Sequence, residues 1–406
     1  MLFDLKKFKL LCMLLIVIIF PILAGSYVPT EIKSVSYALS LSMKTILEFF
    51  MPFIIFSFVF SCLSNLQKGA VFFVCLLIAC VFVSNFTALM IGYSSGYIGL
   101  NLFHFTAPAT TNVVQLLPAW QFHLKKLIPN DVALLIGFLF GIFFSLRPTT
   151  WSKTMASVLN TMANNFLKKG FIPLLPVFIL GFLFKLEYEQ VLHTSLSLYG
   201  PILILIIATQ WLYLGSWYFI ASQCNFKKFI FYLKNILPAT LTGLSTISSA
   251  VAMPVLLVST EKNLNNAEKA KMLVPAIINI HTVGSAIGIP ILALATLLTF
   301  NLPLPSLQTF IMFAFYTALA KYAVAAVPGG VIIVVAPILE AHLGFSSDMI
   351  GLITAIYLIC DPFGTAANVT GNGVFPLLFT KIHERFNNVS LPSVIDTRKT
   401  LALNKN

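Results

Sequence analysis

The sequence predicts an all-α polytopic membrane protein: eight transmembrane helices plus two re-entrant helical hairpins, arranged as inverted repeats. Three observations carry that reading. Of 406 residues, 58% are hydrophobic and only 9% are charged. Apolar runs of spanning length follow one another with brief polar punctuation. Two further apolar stretches are interrupted near their middles. Soluble domains carry about 25% charged residues, so a water-soluble fold is excluded, and the mean hydropathy of +0.94 agrees.

Runs of roughly 18 or more apolar residues read as spans. They fall near residues 8–27, 37–64, 69–96, 131–147, 154–187, 196–222, 266–298 and 348–382. Residues 99–130 are mixed, with Pro108, Pro118 and Pro129, and are expected to hold broken helical pieces. The basic start and the apolar run Leu10 to Ala24 resemble a signal peptide. A signal core is usually ~7–15 residues, and this run stays apolar to its end, so a first span is expected.

The formal charge of +12 reports topology rather than nucleic-acid binding. Lys6, Lys7 and Lys9 open the chain, Arg147 and Lys153 share one loop, and Lys227, Lys228 and Lys234 another. Lys262, Lys269 and Lys271 follow, with Arg385, Arg398 and Lys399 near the end. Short basic loops between apolar spans are the positive-inside pattern, with attraction to anionic lipid as a by-product. Eight crossings from a basic start then place both termini in the cytoplasm, including a solvated tail over 386–406, and an abundance of Lys, Asn, Ile and Phe points to a bacterial source. The six cysteines are scattered without metal spacing and read as small packing residues.

Residues 229–260 carry Pro238, Gly243, a Ser245–Ser249 polar run and Pro254; residues 305–345 carry Lys321 and Val327-Pro328-Gly329-Gly330. Non-helical backbone at membrane depth is tolerated only inside protein or along a watery cavity, which a re-entrant hairpin satisfies. Each hairpin is followed by a helix with a polar centre, expected to be broken: Asn279 to Gly284 in the first, Asp361 to Asn372 in the second. Paired hairpin-and-broken-helix units place a substrate site near the midplane of a secondary transporter.

Ionisable groups at membrane depth are functional candidates. Asp361 has no basic residue within a turn and needs a ligand ammonium, a metal ion, a proton or a distant lysine. A protonated or lysine-paired packing aspartate is the alternative. Thr365 and Asn368 follow at four and seven residues, so the three share one helical face that suits a zwitterion. Interhelical bonding is the competing role for Thr and Asn. Ser248, Ser249, Gly329 and Gly330 offer backbone N–H groups for an anion, or form plain turns. His281 is a hydrogen-bonding residue or a proton carrier. Lys321 pairs with Asp361 or Glu340, or replaces a bound cation. No Ser-His-Asp order, HExxH or CxxC points to an enzyme, and no cofactor is expected beyond a coupling proton or sodium ion.

From about Phe229 to Arg385 the chain resembles the dicarboxylate/amino acid:cation symporters, the glutamate-transporter fold. The matching residues are the serine-rich hairpin ending in Met253-Pro254-Val255, the Val327–Gly330 tip, and Thr365-Ala366-Ala367-Asn368-Val369-Thr370-Gly371. Met51 to Ser57 is similar too, whereas residues 97–150 match poorly. The resemblance implies a homotrimer. In each protomer, residues 1–228 would be mainly scaffold, with the third and sixth spans contributing to a mobile transport core over 229–385 that moves by an elevator motion. It implies that Asp361 binds the substrate ammonium, and that Asn368 and the Ser248–Ser249 tip hold its carboxylate and backbone.

The departures from the family shape the expected substrate and coupling. Gly364 stands where acidic-substrate members have an arginine, and the chain's only three arginines are Arg147, Arg385 and Arg398. A neutral amino acid is expected rather than glutamate or a dicarboxylate. Asn279 is kept, but His281, Tyr357 and Asn372 replace aspartates, and Lys321 falls on a serine of a sodium site. Hard cations want oxygen ligands with anionic help, so ordinary sodium coupling is not expected. Proton coupling through His281 or Lys321, a tethered Lys321 cation, and plain exchange remain open. A sensor or channel on the same fold is the other functional reading.

Overall fold

The computed structural model describes residues 9–64, 71–102, 115–125, 127–189, 191–324 and 329–387. Among them all regular structure is helical. The first half holds α1 (Lys9–Ala24), α2 (Thr30–Ser64), α3 (Val71–Leu102), α4 (Asn130–Leu146), α5 (Thr150–Asn165), α6 (Ile172–Tyr188) and α7 (Val191–Ala221). The second holds α8 (Phe226–Thr246), α9 (Ser249–Leu264), α10 (Ala267–Ile277), α11 (Val283–Thr299), α12 (Leu307–Ala320), α13 (Gly330–Leu343) and α14 (Ser347–Asn387).

Three helical stretches are long and apolar enough to cross a membrane: Cys75–Leu102, Tyr199–Ala221 and Ser347–Arg385. Two bent pairs raise the number to five among the described residues. Thr30–Leu47 meets Phe49–Ser61 at 42°, one turn before Pro52. Thr150–Phe171 meets Pro173–Tyr188 at 53°, across a π-helical turn at Phe166–Phe171. A proline lacks the N–H that the preceding turn needs, so a bend is the expected response. The spans expected over 8–27, 131–147 and 266–298 are represented by shorter helices, the last interrupted between α10 and α11.

Helix α11 is the central post, with its residues buried on nearly every face. It packs against α3, α7 and α14, while α2 gathers α4, α5 and α6. The arms α8 and α9 pack against one another, as do α12 and α13. The first arm pair turns at Ile247, in the left-handed region at φ 51°, and Ser248 then caps α9 by accepting from Val251 N–H. The second turns through Lys321–Ala323 to Gly329, at φ 70°. Its Val327 and Pro328 lie outside the described residues.

Two expectations are corrected. Residues 115–129 form no helix where described. They run as an irregular strap along α2, with Ser34 Oγ donating to Leu117 O (2.7 Å) and Trp120 Nε1 to Ser42 Oγ (3.0 Å). Pro118 and Pro129 deny the strap the helical donors it would need. Second, the Asp361–Asn372 segment does not break: α14 is helical through it. Its polar side chains are partnered by neighbouring helices, so they mark contacts rather than an interruption.

Candidate functional site

The break between α10 and α11 leaves backbone groups that no helix satisfies, and side chains from other helices satisfy them. Asn85 of α3 donates to Ile280 O (2.8 Å) and accepts from Thr282 N–H (3.1 Å). Asn368 Oδ1 of α14 accepts from Gly284 N–H (2.8 Å) and Ser285 N–H (3.2 Å). Gln210 of α7 donates to Gly284 O (2.9 Å). Buried backbone polar groups are almost always paired; Asn85 and Asn368 pair those freed by the break, and Gln210 adds a bond to a carbonyl in the first turn of α11.

On one side of the break lies a small chamber of about 30 Å³. Asp361, Thr365, Asn368, Ser248, Ser249 and Gly330 line it, together with Asn279, Thr282, Ile247, Ile278, Val324 and Val331. The two hairpin tips thus close on α14 and the break, bringing most predicted substrate residues together. Gly329 N–H donates to Asp361 Oδ2 at 2.9 Å, and Tyr357 and Thr365 flank the same carboxylate one turn away on either side. Gly364 sits beneath: its carbonyl lies 2.4 Å from where a Cβ on Gly284 would be, whereas a Cβ on Gly364 itself would meet nothing within 4 Å.

Asn368 and Asn279 differ from their expected roles in position. The Asn368 amide is committed to the break, and its Nδ2 also donates to Ser285 Oγ (3.1 Å). Asn279, expected among the cation residues, is exposed and lines the chamber.

The remaining coupling candidates are buried around the break. His281 Nδ1–H donates to Asn372 Oδ1 (2.9 Å), whose amide is oriented by its Nδ2 donating to Ile278 O (3.5 Å). An amide oxygen only accepts, so Nδ1 carries the proton and Nε2 faces the Ser84 hydroxyl at 2.7 Å. The ring packs on Phe375 with centroids 4.5 Å apart. Tyr357 donates to Ser285 Oγ (3.1 Å). Lys321 donates to Thr282 Oγ1 (2.8 Å) and Thr282 O (3.2 Å).

The expected Lys321 pairings with Asp361 and Glu340 are not formed: Glu340 takes Lys44 instead, at 2.6 Å. Among the described residues no carboxylate stands within ion-pair reach of Lys321. The ammonium is held by a threonine's two oxygens at the mouth of α11.

Residues that the sequence reasoning passed over are Ser84, Asn85, Gln210, Thr282 and Ser285. Ser84-Asn85 in the middle of an apolar helix was the available signal, since polar side chains at membrane depth seek partners.

No individual curated protein matches the chain. The sodium:dicarboxylate symporter family profile matches residues 10–382. That match spans both hairpins, the break and the Asp361–Asn372 face, and the chain therefore belongs to the sodium:dicarboxylate symporter family, a family of transporters rather than enzymes.

Proposed function

We propose that the protein is a secondary transporter of a small neutral amino acid in the bacterial cytoplasmic membrane. It works as a homotrimer embedded in lipid, with both termini cytoplasmic, and moves substrate by an elevator motion. The observation that carries this reading is the chamber around Asp361. Its carboxylate receives one backbone N–H, and no guanidinium or ammonium lines the chamber beside it. A ligand ammonium fits that carboxylate, the N-terminal end of α9 suits a ligand carboxylate, and no arginine is at hand for a second one. A volume of about 30 Å³ holds little more than a water, so loading requires a hairpin tip to move. The packing supports the division into parts: α3, α7, α11 and α14 cluster, while α2 collects α4, α5 and α6.

Coupling departs from the sodium mode that names the family. His281 and Asn372 satisfy each other without a carboxylate, and Lys321 places its ammonium on oxygens that a cation would otherwise use. Lys321 is a tethered cation, and transport runs as amino acid exchange or with a proton. The test is uptake of labelled serine, alanine and glutamate into proteoliposomes, with and without an inward sodium gradient. Sodium-independent, saturable uptake of serine or alanine, with cation dependence appearing in Lys321→Ser, is expected. Glutamate moving faster than both would overturn the substrate assignment, and absence of any counterflow would favour a sensor or channel.

A further inference from the structure

At the opposite end of the α8–α9 arm pair from Ser248, the start of α8 and the end of α9 enclose an open cavity of about 670 Å³. Lys227, Lys228 and Lys262 line it. Its floor is fixed by amides that join the arms: Asn235 Nδ2 donates to Asn263 Oδ1 (2.8 Å), and Asn263 Nδ2 to Tyr232 O (3.2 Å). The Lys228 ammonium stands 5.6 Å over the Tyr232 ring.

The charge here is uncompensated. Four lysines elsewhere are paired with carboxylates, Lys33 with Glu187, Lys44 with Glu340, Lys185 with Asp348 and Lys269 with Glu384, whereas here three ammonium groups share one cavity. No carboxylate lines the cavity, and among the described residues none forms an ion pair with Lys227, Lys228 or Lys262. Lys381 adds a further positive charge within electrostatic range of Lys228. Like charges gathered in one cavity repel, and an anion relieves them.

The position selects the anion. Lys227 follows six residues after Ala221, where the spanning stretch Tyr199–Ala221 ends, so the cavity lies at headgroup height. Phe226 and Phe231 beside it are 66% and 52% exposed, apolar rings that lipid acyl chains would cover. We propose that this cavity binds the phosphate of an anionic phospholipid headgroup and braces the base of the α8–α9 hairpin, whose tip closes the Asp361 chamber.

The test uses the full chain reconstituted in phosphatidylcholine vesicles with and without a minority of phosphatidylglycerol, followed by native mass spectrometry of retained lipid. Wild type is compared with K227Q/K228Q/K262Q, with each single variant, and with R147Q/K153Q/K169Q, which removes the same charge from positions outside the cavity. Phosphatidylglycerol should stay bound to wild type and to the control. Retention should weaken roughly fivefold per cavity lysine removed and about a hundredfold for all three. Equal loss in both triple variants, or loss in neither, would overturn the site in favour of diffuse attraction. Displacement of the lipid by inorganic phosphate with no preference for the headgroup would overturn the lipid assignment. The single variants decide the matter should the triple variant not fold.

Discussion

A hydrogen bond between His281 and Asn372 joins two positions 91 residues apart, and each accounts for the other. An imidazole with Ser84 on one nitrogen and Asn372 on the other is a satisfied buried group. Removing either partner strands the other, which costs about 1–3 kcal/mol for a buried polar group. His281→Ala and Asn372→Ala should each lower thermal stability in detergent. The double variant should lose less than the sum, with a coupling of roughly 0.5–2 kcal/mol. Strict additivity would mean that the contact carries no energy. Asp361 is legible in the sequence because an isolated carboxylate in an apolar helix has few structural explanations. For Asn368 the residue type fits a ligand or a backbone equally, and the structure has its amide on Gly284 and Ser285 while the residue also lines the chamber.

At the scale of elements, α11 and α14 cross at two glycines that look alike in sequence and differ in surroundings. A Cβ on Gly284 would lie 2.4 Å from Gly364 O and 2.7 Å from the Ala367 Cβ, while one on Gly364 would meet open space. Overpacking of this kind costs about 1–3 kcal/mol, and Gly→Ala in a helix otherwise returns roughly 1 kcal/mol. Gly284→Ala should therefore lower the melting temperature by several degrees, whereas Gly364→Ala should leave it unchanged or raise it. Matching losses in the two variants would contradict the crossing. The hairpin arms are readable from breaker residues, because glycine, proline and serine change what the backbone can do locally. The continuity of α14 is not readable. A polar run at membrane depth marks either an interrupted helix or a crowded contact, and the choice rests on partners far away in the chain.

Across the whole molecule, charged contacts tie the early helices to the late ones. Lys44 of α2 bonds Glu340 of α13 and Ser347 of α14, each at 2.6 Å. Lys185 of α6 pairs with Asp348, which also accepts from Tyr37 (3.1 Å). Glu187, in the last turn of α6, pairs with Lys33 at 2.6 Å. None of this is visible in a sequence read by loops and spans, since the partners lie about 150 to 300 residues apart. Breaking a half-buried pair leaves an uncompensated charge. Lys44→Glu should thus destabilise the protein and slow uptake, and Lys44→Glu with Glu340→Lys should recover much of both; no recovery would mean that the pair is incidental. The break before α11 carries a further consequence, for biosynthesis. Its surroundings are braced by Asn85, Gln210 and Asn368, from helices near the beginning, middle and end of the chain. A ribosome delivers these in that order, so the chamber cannot take its final form until α14 has been made. A chain arrested before Asn368 would hold both arm pairs and still lack the side chain that caps Gly284 and Ser285.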